Sequence, residues 1–135
     1  MSIVANADDS ILTTIRPMCN VDENDSGFDK QLIPLINSNM MIAHHNLGIG
    51  VNGFNITGTG ETWEQWLGPA VSKLASAKTW LGYKTFLVFD PPENGSVMQA
   101  YEKMIDEAAW TLCSKSRLEG HAATLYPVDF VDEDD

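Results

Sequence analysis

Two pairs of residues in this sequence have side chains that could act on a substrate or hold a metal ion. His44 and His45 are metal-ligand types, but neighbouring positions on a helix point about 100° apart and cannot share a tetrahedral ion without more distant ligands. Cys113 and His121 suggest a nucleophile and its base, yet nothing supplies a third group to orient them. Neither pair is sufficient for a catalytic or metal site.

A glycine-rich motif and a carboxylate pair are also insufficient for a nucleotide-binding or catalytic site. GIGVNG, residues 48–53, has glycine spacing typical of a nucleotide-binding loop, but it has no phosphate-binding lysine and follows an amphipathic helix instead of a strand. Glu61 and Glu64 are spaced like paired carboxylates, although the same spacing beside tryptophans is typical of a short surface helix. We therefore predict no catalytic residue, no metal site and no cofactor, and an enzyme is the least favoured class.

Charge is the strongest compositional feature, because 19 acidic and 8 basic residues leave a formal net charge of −11. A protein that grips nucleic acid carries a basic stripe, and this sequence has none. The ordinary interpretation is a solvated acidic surface, and the alternative is a surface that lets a polyanion pass without adhering. Five carboxylates fall in the last seven residues, so we expect an acidic C-terminal tail.

The sequence also indicates a compartment. No apolar run approaches the ~18 residues that a membrane span requires. The N-terminus lacks the basic and apolar regions of a secretory signal, so we expect an intracellular protein without membrane contact. Cys19 and Cys113 are predicted to be reduced and buried thiols.

Apolar residues recur at three- and four-residue steps, which predicts an all-α fold, a small bundle of four to five helices. Residues 8–10 precede a short first helix. Ser26 and Asp29 have the spacing of a capping box before a second helix, and Pro34 predicts a bend in that helix or a later start.

The last two helices are delimited by glycine, proline and cap residues. The third helix is predicted over residues 70–89, with a close backbone contact at Gly82 to offset the low helix propensity of glycine. Asp90 ends it, because the following proline disfavours the helical region. Ser96 is predicted to cap a fourth helix that reaches about Leu118.

A glycine-rich segment, residues 48–61, separates the second and third helices. Asn52-Gly53 is a strong hairpin signal, so the segment is predicted as either a small β-hairpin or a mobile loop. Thr62 then caps a short helix, TWEQWL. These boundaries predict a helical domain over residues 1–118, with this loop inserted, and an extended tail over residues 119–135.

Large aromatic residues lie outside the predicted core stripes. They either wrap the edge of a small core or fill a partner's pocket, and with several of them an interface becomes competitive. The candidates in the helical part are Trp63, Trp66, Trp80 and Trp110. The acidic tail carries apolar anchors that could add to a partner, namely Tyr126, Val128, Phe130 and Val131.

The order of these features resembles the head-tail connector (adaptor) proteins of tailed bacteriophages, the group often described as gp6-like. The resemblance covers roughly residues 10–118. It rests on a helix ending in NLGIG, a glycine-rich loop leading to GETWEQWL, a helix running into LVFDPP and a last helix containing EAAWTL.

The resemblance implies a structural virion protein without catalysis. Such proteins form a homo-oligomeric ring, typically of twelve subunits, under the portal protein of the DNA-filled capsid, and they join it to the stopper or tail-completion protein. Genomic DNA passes through the ring without sequence-specific binding. The C-terminal tail would dock onto the portal, and Phe54 and Ile56 in the loop would contact a neighbouring subunit. The expected location is the virion, after assembly in the host cytoplasm.

A small acidic regulatory protein, such as a DNA mimic, is the alternative from another functional class. It requires carboxylates on one continuous face, whereas here they concentrate at turns between helices and in the tail.

Overall fold

The structure, a computed structural model, describes the backbone of residues 6–120 and the side chains of residues 6–113. Within these residues it contains five α-helices, which confirms the predicted all-α class. They are α1 Ile11–Met18, α2 Asp29–Ile42, α3 Trp63–Leu67, α4 Leu74–Phe89 and α5 Gly95–Gly120. A π-helical turn, Ala43–Leu47, extends α2, and a 3-10 turn, Gly68–Lys73, leads from α3 into α4.

Helix α4 is the centre of the bundle. It packs against α1, α2 and α5, so it carries buried residues on more than one face. At Gly82 the side chain of Met18 occupies the space that a Cβ would need, so a close contact exists there, but it is made by a side chain and not by backbone as predicted. On the side facing α2, Asn39 Nδ2 donates to Thr85 Oγ1 at 3.1 Å within the core, so a buried polar pair joins the two helices.

Several helix ends follow from local sequence. The Ser10 hydroxyl accepts a hydrogen bond from the Thr13 N–H at 3.1 Å, and Asp90 leaves the helical region to end α4. Helix α5 begins earlier than predicted, because Asn94 Oδ1 accepts from the N–H groups of Ser96 and Val97 at 2.8 and 3.2 Å. Asn94 is therefore the capping residue of α5, and the prediction of Ser96 was wrong.

The predicted capping box at the start of α2 does not form, because the Asp29 carboxylate has a cationic partner. Arg16 is only 4% exposed and donates to Asp29 Oδ2 at 2.7 Å and to Oδ1 at 3.2 Å. Its third bond goes to the carbonyl of Glu23 at 2.7 Å, so the guanidinium ties the loop before α2 to α1. A bidentate pair of this kind is stronger than a hydrogen bond between neutral groups.

Residues 1–5 and 121–135 lie outside the described residues. The predicted tail therefore falls outside them except for its first two positions, since α5 continues to Gly120. His121 lies outside them too, as do all four predicted docking residues, Tyr126, Val128, Phe130 and Val131.

Candidate assembly site

The glycine-rich segment, residues 48–61, is the part of the described chain where fold and predicted function meet, and we call it the strap. It contains no strand. The isolated bridge between Ser10 and Thr62 is the β-type pairing found within residues 6–120, so the hairpin alternative is not formed. Asn52-Gly53 still makes a turn, with the Phe54 N–H donating to the Val51 carbonyl at 3.2 Å. Apart from short turns of this kind, the strap bonds to the helices.

The first anchor of the strap is the close contact of Gly50 with Trp66. Gly50 has a φ of +85°, and a Cβ built there would overlap the indole nitrogen of Trp66. The Val51 N–H donates to the Trp66 carbonyl at 2.9 Å, and His44 Nδ1 donates to the Gly50 carbonyl at 3.0 Å. The backbone conformation and the lack of space both require glycine here.

The close contact at Gly50 leaves the N–H of Trp66 buried without a hydrogen-bond partner. A buried donor without a partner costs about 1–3 kcal/mol. The ring itself is fully buried, and its centroid lies 6.1 Å from that of Trp63. Burial of two large rings under the strap offsets this cost.

The second anchor is the side-chain amide of Asn37, on α2. Its Oδ1 accepts from the Ile56 N–H at 2.7 Å, and its Nδ2 donates to the Ile56 carbonyl at 3.1 Å. The side chain of Ile56 is 1% exposed. One strap residue is therefore held by two backbone hydrogen bonds and one buried side chain.

The end of the strap is joined to the N-terminal segment and to α3. The Ile11 N–H donates to the Glu61 carbonyl at 3.0 Å, and the Trp63 N–H donates to the Asp9 carbonyl at 3.2 Å. Thr62 caps α3 as predicted and forms a capping box with Gln65. These bonds fix the last strap residues against α1.

Glu61 closes a hydrogen-bonded turn at the end of the strap. Its Oε2 accepts from the Thr57 hydroxyl at 2.9 Å and from the Thr57 N–H at 3.1 Å. Desolvation acts to raise the pKa of Glu61, but the bonds from Thr57 and from the backbone of Glu61 and Gly58 outweigh it and lower the pKa. The carboxylate is therefore stabilised in its charged form.

Between the two anchors the strap faces solvent. The side chain of Val51 is 48% exposed, Asn52, Gly53 and Asn55 are exposed, and Phe54 is half-buried against the core. The strap thus combines fixed ends with an accessible middle.

Four of the predicted interface residues lie in the core of a single chain. Trp63, Trp66, Trp80 and Ile56 are each at most 4% exposed, and in this conformation they offer no surface to a neighbour. The Trp63 N–H donates to Thr14 Oγ1 at 3.1 Å, and Lys84 Nζ lies 5.4 Å from the centre of the Trp80 ring. Packing within one chain therefore explains the burial of these four side chains without a neighbouring subunit.

The other two predicted interface residues keep accessible surface. Phe54 is half-buried, and Trp110 on α5 is 37% exposed. Sequence reasoning missed a shallow groove of about 320 Å³ between α4 and α5. Its lining includes Ala75, Ser76 and Thr79 on α4 and Met104, Glu107 and Thr111 on α5. Small residues on α4 opposite an exposed methionine are the signal that could have indicated it.

Sequence reasoning also missed an exposed apolar pair at the far end of α4. The rings of Phe28 and Phe89 pack edge to face, with their centroids 5.6 Å apart. Phe28 remains 42% exposed, and Val88, which precedes Phe89 in the chain, is also exposed. Phe28 directly precedes α2, at its N-cap position.

The cysteines, histidines and acidic residues in the described part of the chain do not assemble into a metal-binding group. Within residues 6–113, whose side chains are described, no group of three or more His, Cys, Asp or Glu residues could hold a metal ion. Burial, with a smaller contribution from Asp90, raises the pKa of Cys19 to about 12, so its thiol stays protonated. The rings of His44 and His45 pack edge to face, with their centroids 5.5 Å apart. In the same residues, no helix is both long and apolar enough to cross a membrane.

The fold is that of a small all-α protein whose most distinctive feature is a strap held by packing and backbone hydrogen bonds. The chain belongs to the phage connector protein family, whose sequence model matches residues 11–118. That span runs from the first residue of α1 into α5 and includes the whole strap. No match was found among curated proteins or among solved structures. Membership in this family assigns the chain a structural role at the head–tail junction of a phage virion.

Proposed function

We propose that this chain is a head–tail connector subunit that forms a ring beneath the portal vertex of the filled capsid and joins the portal to the stopper or tail. The family match over residues 11–118 is the observation that carries the proposal. By its resemblance to adaptor proteins, the ring has twelve copies and assembles in the host cytoplasm. The subunit acts through binding alone, without catalysis or a cofactor.

A closed ring requires two different surfaces on each subunit, because the contact between neighbours is head to tail. The exposed side chains of Trp110 and Val51 and the half-buried Phe54 supply apolar area for such contacts. Aromatic residues are enriched at the energetic centres of interfaces. Trp110 and the middle of the strap are therefore our candidates for subunit contacts.

The net charge of −11 suits a channel for DNA. Carboxylates repel phosphates, so an acidic lumen keeps the exiting genome from adhering to the ring. Genomic DNA then passes without sequence-specific binding.

The portal contact is assigned to the C-terminal tail. Tyr126, Val128, Phe130 and Val131 provide apolar anchors, and the surrounding carboxylates select a partner with basic groups.

Native mass spectrometry of the chain, alone and with its portal protein, tests the proposal. We expect a ring or a portal complex. A chain that stays monomeric and ignores the portal would instead favour a small acidic regulatory protein. Removal of residues 121–135 leaves the described part of α5, Gly95–Gly120, intact, and we expect it to abolish portal binding without loss of the helical circular dichroism of residues 6–120. Unchanged binding would exclude the tail as the docking segment.

A further inference from the structure

We propose that residues 52–60 of the strap are exchanged between neighbouring copies of this chain. Ile56 of one copy then binds at Asn37 of the next. The inference rests on the proposed ring and names the contact that links its subunits. In the single chain described above, the same residues occupy their own Asn37 site.

The site at Asn37 can accept the strap of any copy. Asn37 bonds the backbone N–H and carbonyl of Ile56 at 2.7 and 3.1 Å, and the side chain of Ile56 fills the adjoining part of the core. All of these contacts involve one short peptide segment and a site 19 positions away in sequence. An identical segment from a neighbour makes identical contacts.

Glycines at both ends of this segment allow it to open. Gly53 has a φ of +78°, and a Cβ at Gly53, Gly58 or Gly60 would meet no atom within 4 Å. The space around these glycines leaves room for their backbone to change conformation, and opening breaks the bond from the Gly58 backbone to Glu61. The remaining anchors stay in place, since Val51 is bonded to Trp66 and Glu61 to Ile11.

The open segment is long enough to reach a neighbour. Five residues lie between Val51 and Ile56, counting Ile56, and five lie from Thr57 to Glu61. A chain of five residues spans at most about 17 Å. Ile56 can therefore lie up to about 17 Å from each anchor while both ends of the strap stay in place.

Exchange also satisfies the geometry of a ring. A head-to-tail contact needs two different complementary surfaces on each subunit, and the strap with its Asn37 site provides both. The contacts of Ile56 at Asn37 are the same within a chain and between chains, so their energies cancel, whereas the bonds from Thr57 to Glu61 break when the segment extends. The effective concentration of the neighbour then decides which form dominates. A free chain keeps its own strap, and copies held side by side on a portal exchange theirs.

Cross-linking of a double variant, Ser38→Cys with Asn55→Cys, tests the exchange. Both positions are exposed, and each is next to one partner of the Asn37–Ile56 pair, which stays intact. The free variant treated with a short bis-maleimide should give an intramolecular product, which establishes that the reagent spans the pair. The two single-cysteine variants are matched controls, because Cys19 and Cys113 are buried and neither control can form a ladder.

The same double variant is then treated after ring assembly on the portal. We expect loss of the intramolecular product and a ladder of covalent oligomers on a denaturing gel. Rings that are seen by native mass but yield the intramolecular product alone would overturn the exchange and leave the proposed function standing. If no ring or portal complex forms at all, the proposed function fails, and the exchange fails with it.

Discussion

At Gly50, the indole of Trp66 occupies the space that a side chain would need. The positive φ of Gly50 adds a second restriction, since residues with a Cβ rarely adopt that conformation. Gly60 provides a contrast within the same strap, because its φ is not in the left-handed region and a Cβ there meets no atom within 4 Å. One glycine is required by packing, and the other is not.

Gly50→Ala should lower the free energy of unfolding by about 2–4 kcal/mol, combining backbone strain with overpacking against Trp66. Urea denaturation followed by tryptophan fluorescence measures the change. Gly60→Ala is the matched control, and we expect it to be neutral or slightly stabilising. Equal losses in the two variants would contradict the packing argument.

The pKa of Glu61 should depend on the Thr57 hydroxyl. Because the pKa is lowered in the folded chain, the carboxylate contributes stability above its ordinary pKa, and that contribution is lost as the pH falls through the folded value. Thr57→Val removes the hydroxyl bond, so the pKa should rise and the acid sensitivity from this group should decrease.

Carbon-13 NMR titration of the Glu61 carboxyl measures the pKa directly. Thr59→Val changes an exposed threonine of the same strap and should leave the titration unchanged. A pKa that does not move in Thr57→Val would mean that backbone bonds alone stabilise the carboxylate.

Among the structural elements, the strap is held by contacts with segments distant in sequence, such as Asn37 on α2 and Ile11 on α1. Its glycines and its Asn-Gly turn are compatible with a hairpin, but Ile49 and Ile56 are both buried in the core formed with the helices. The strap is bonded to α2 through Asn37 and to α3 through Trp66, and its two halves form no ladder. Helix ends, in contrast, follow local rules, as the capping box at Thr62 illustrates.

Asn37→Ala should release the middle of the strap while the helices stay folded. Loss of two hydrogen bonds to a buried backbone segment should cost about 1–2 kcal/mol. Hydrogen exchange at the Ile56 amide should become faster, and the opening free energy calculated from it should fall by a similar amount. Ser38→Ala, at the next and exposed position of α2, is the control and should change neither quantity. Undiminished protection of Ile56 in Asn37→Ala would contradict the anchoring role.

For the whole molecule, net charge opposes the association that the proposed function requires. Copies that each carry a formal −11 repel one another, so apolar contacts between subunits must overcome that repulsion. Raising the ionic strength from about 0.1 to 1 M shortens the screening length from about 10 to about 3 Å.

Ring formation should therefore strengthen with salt. Sedimentation velocity at fixed protein concentration over this salt range measures the oligomer fraction, and sucrose at matched density and viscosity is the control for non-ionic effects. An oligomer that dissociates as salt rises would indicate that ion pairs between subunits dominate the interface.

The sequence by itself determined the helical class, the ends at Thr62 and Asp90, the tight packing at Gly82 and the acidic character, because these depend on periodicity, local capping and composition. It also carried the motifs by which the chain resembles connector proteins. Only the tertiary structure decided that Trp63, Trp66 and Trp80 are core residues and that Asp29 pairs with Arg16 instead of capping α2. Whether a large ring is covered, or a carboxylate finds a cation, depends on segments that are far apart in the chain. Local patterns carry no information about which of those segments will meet.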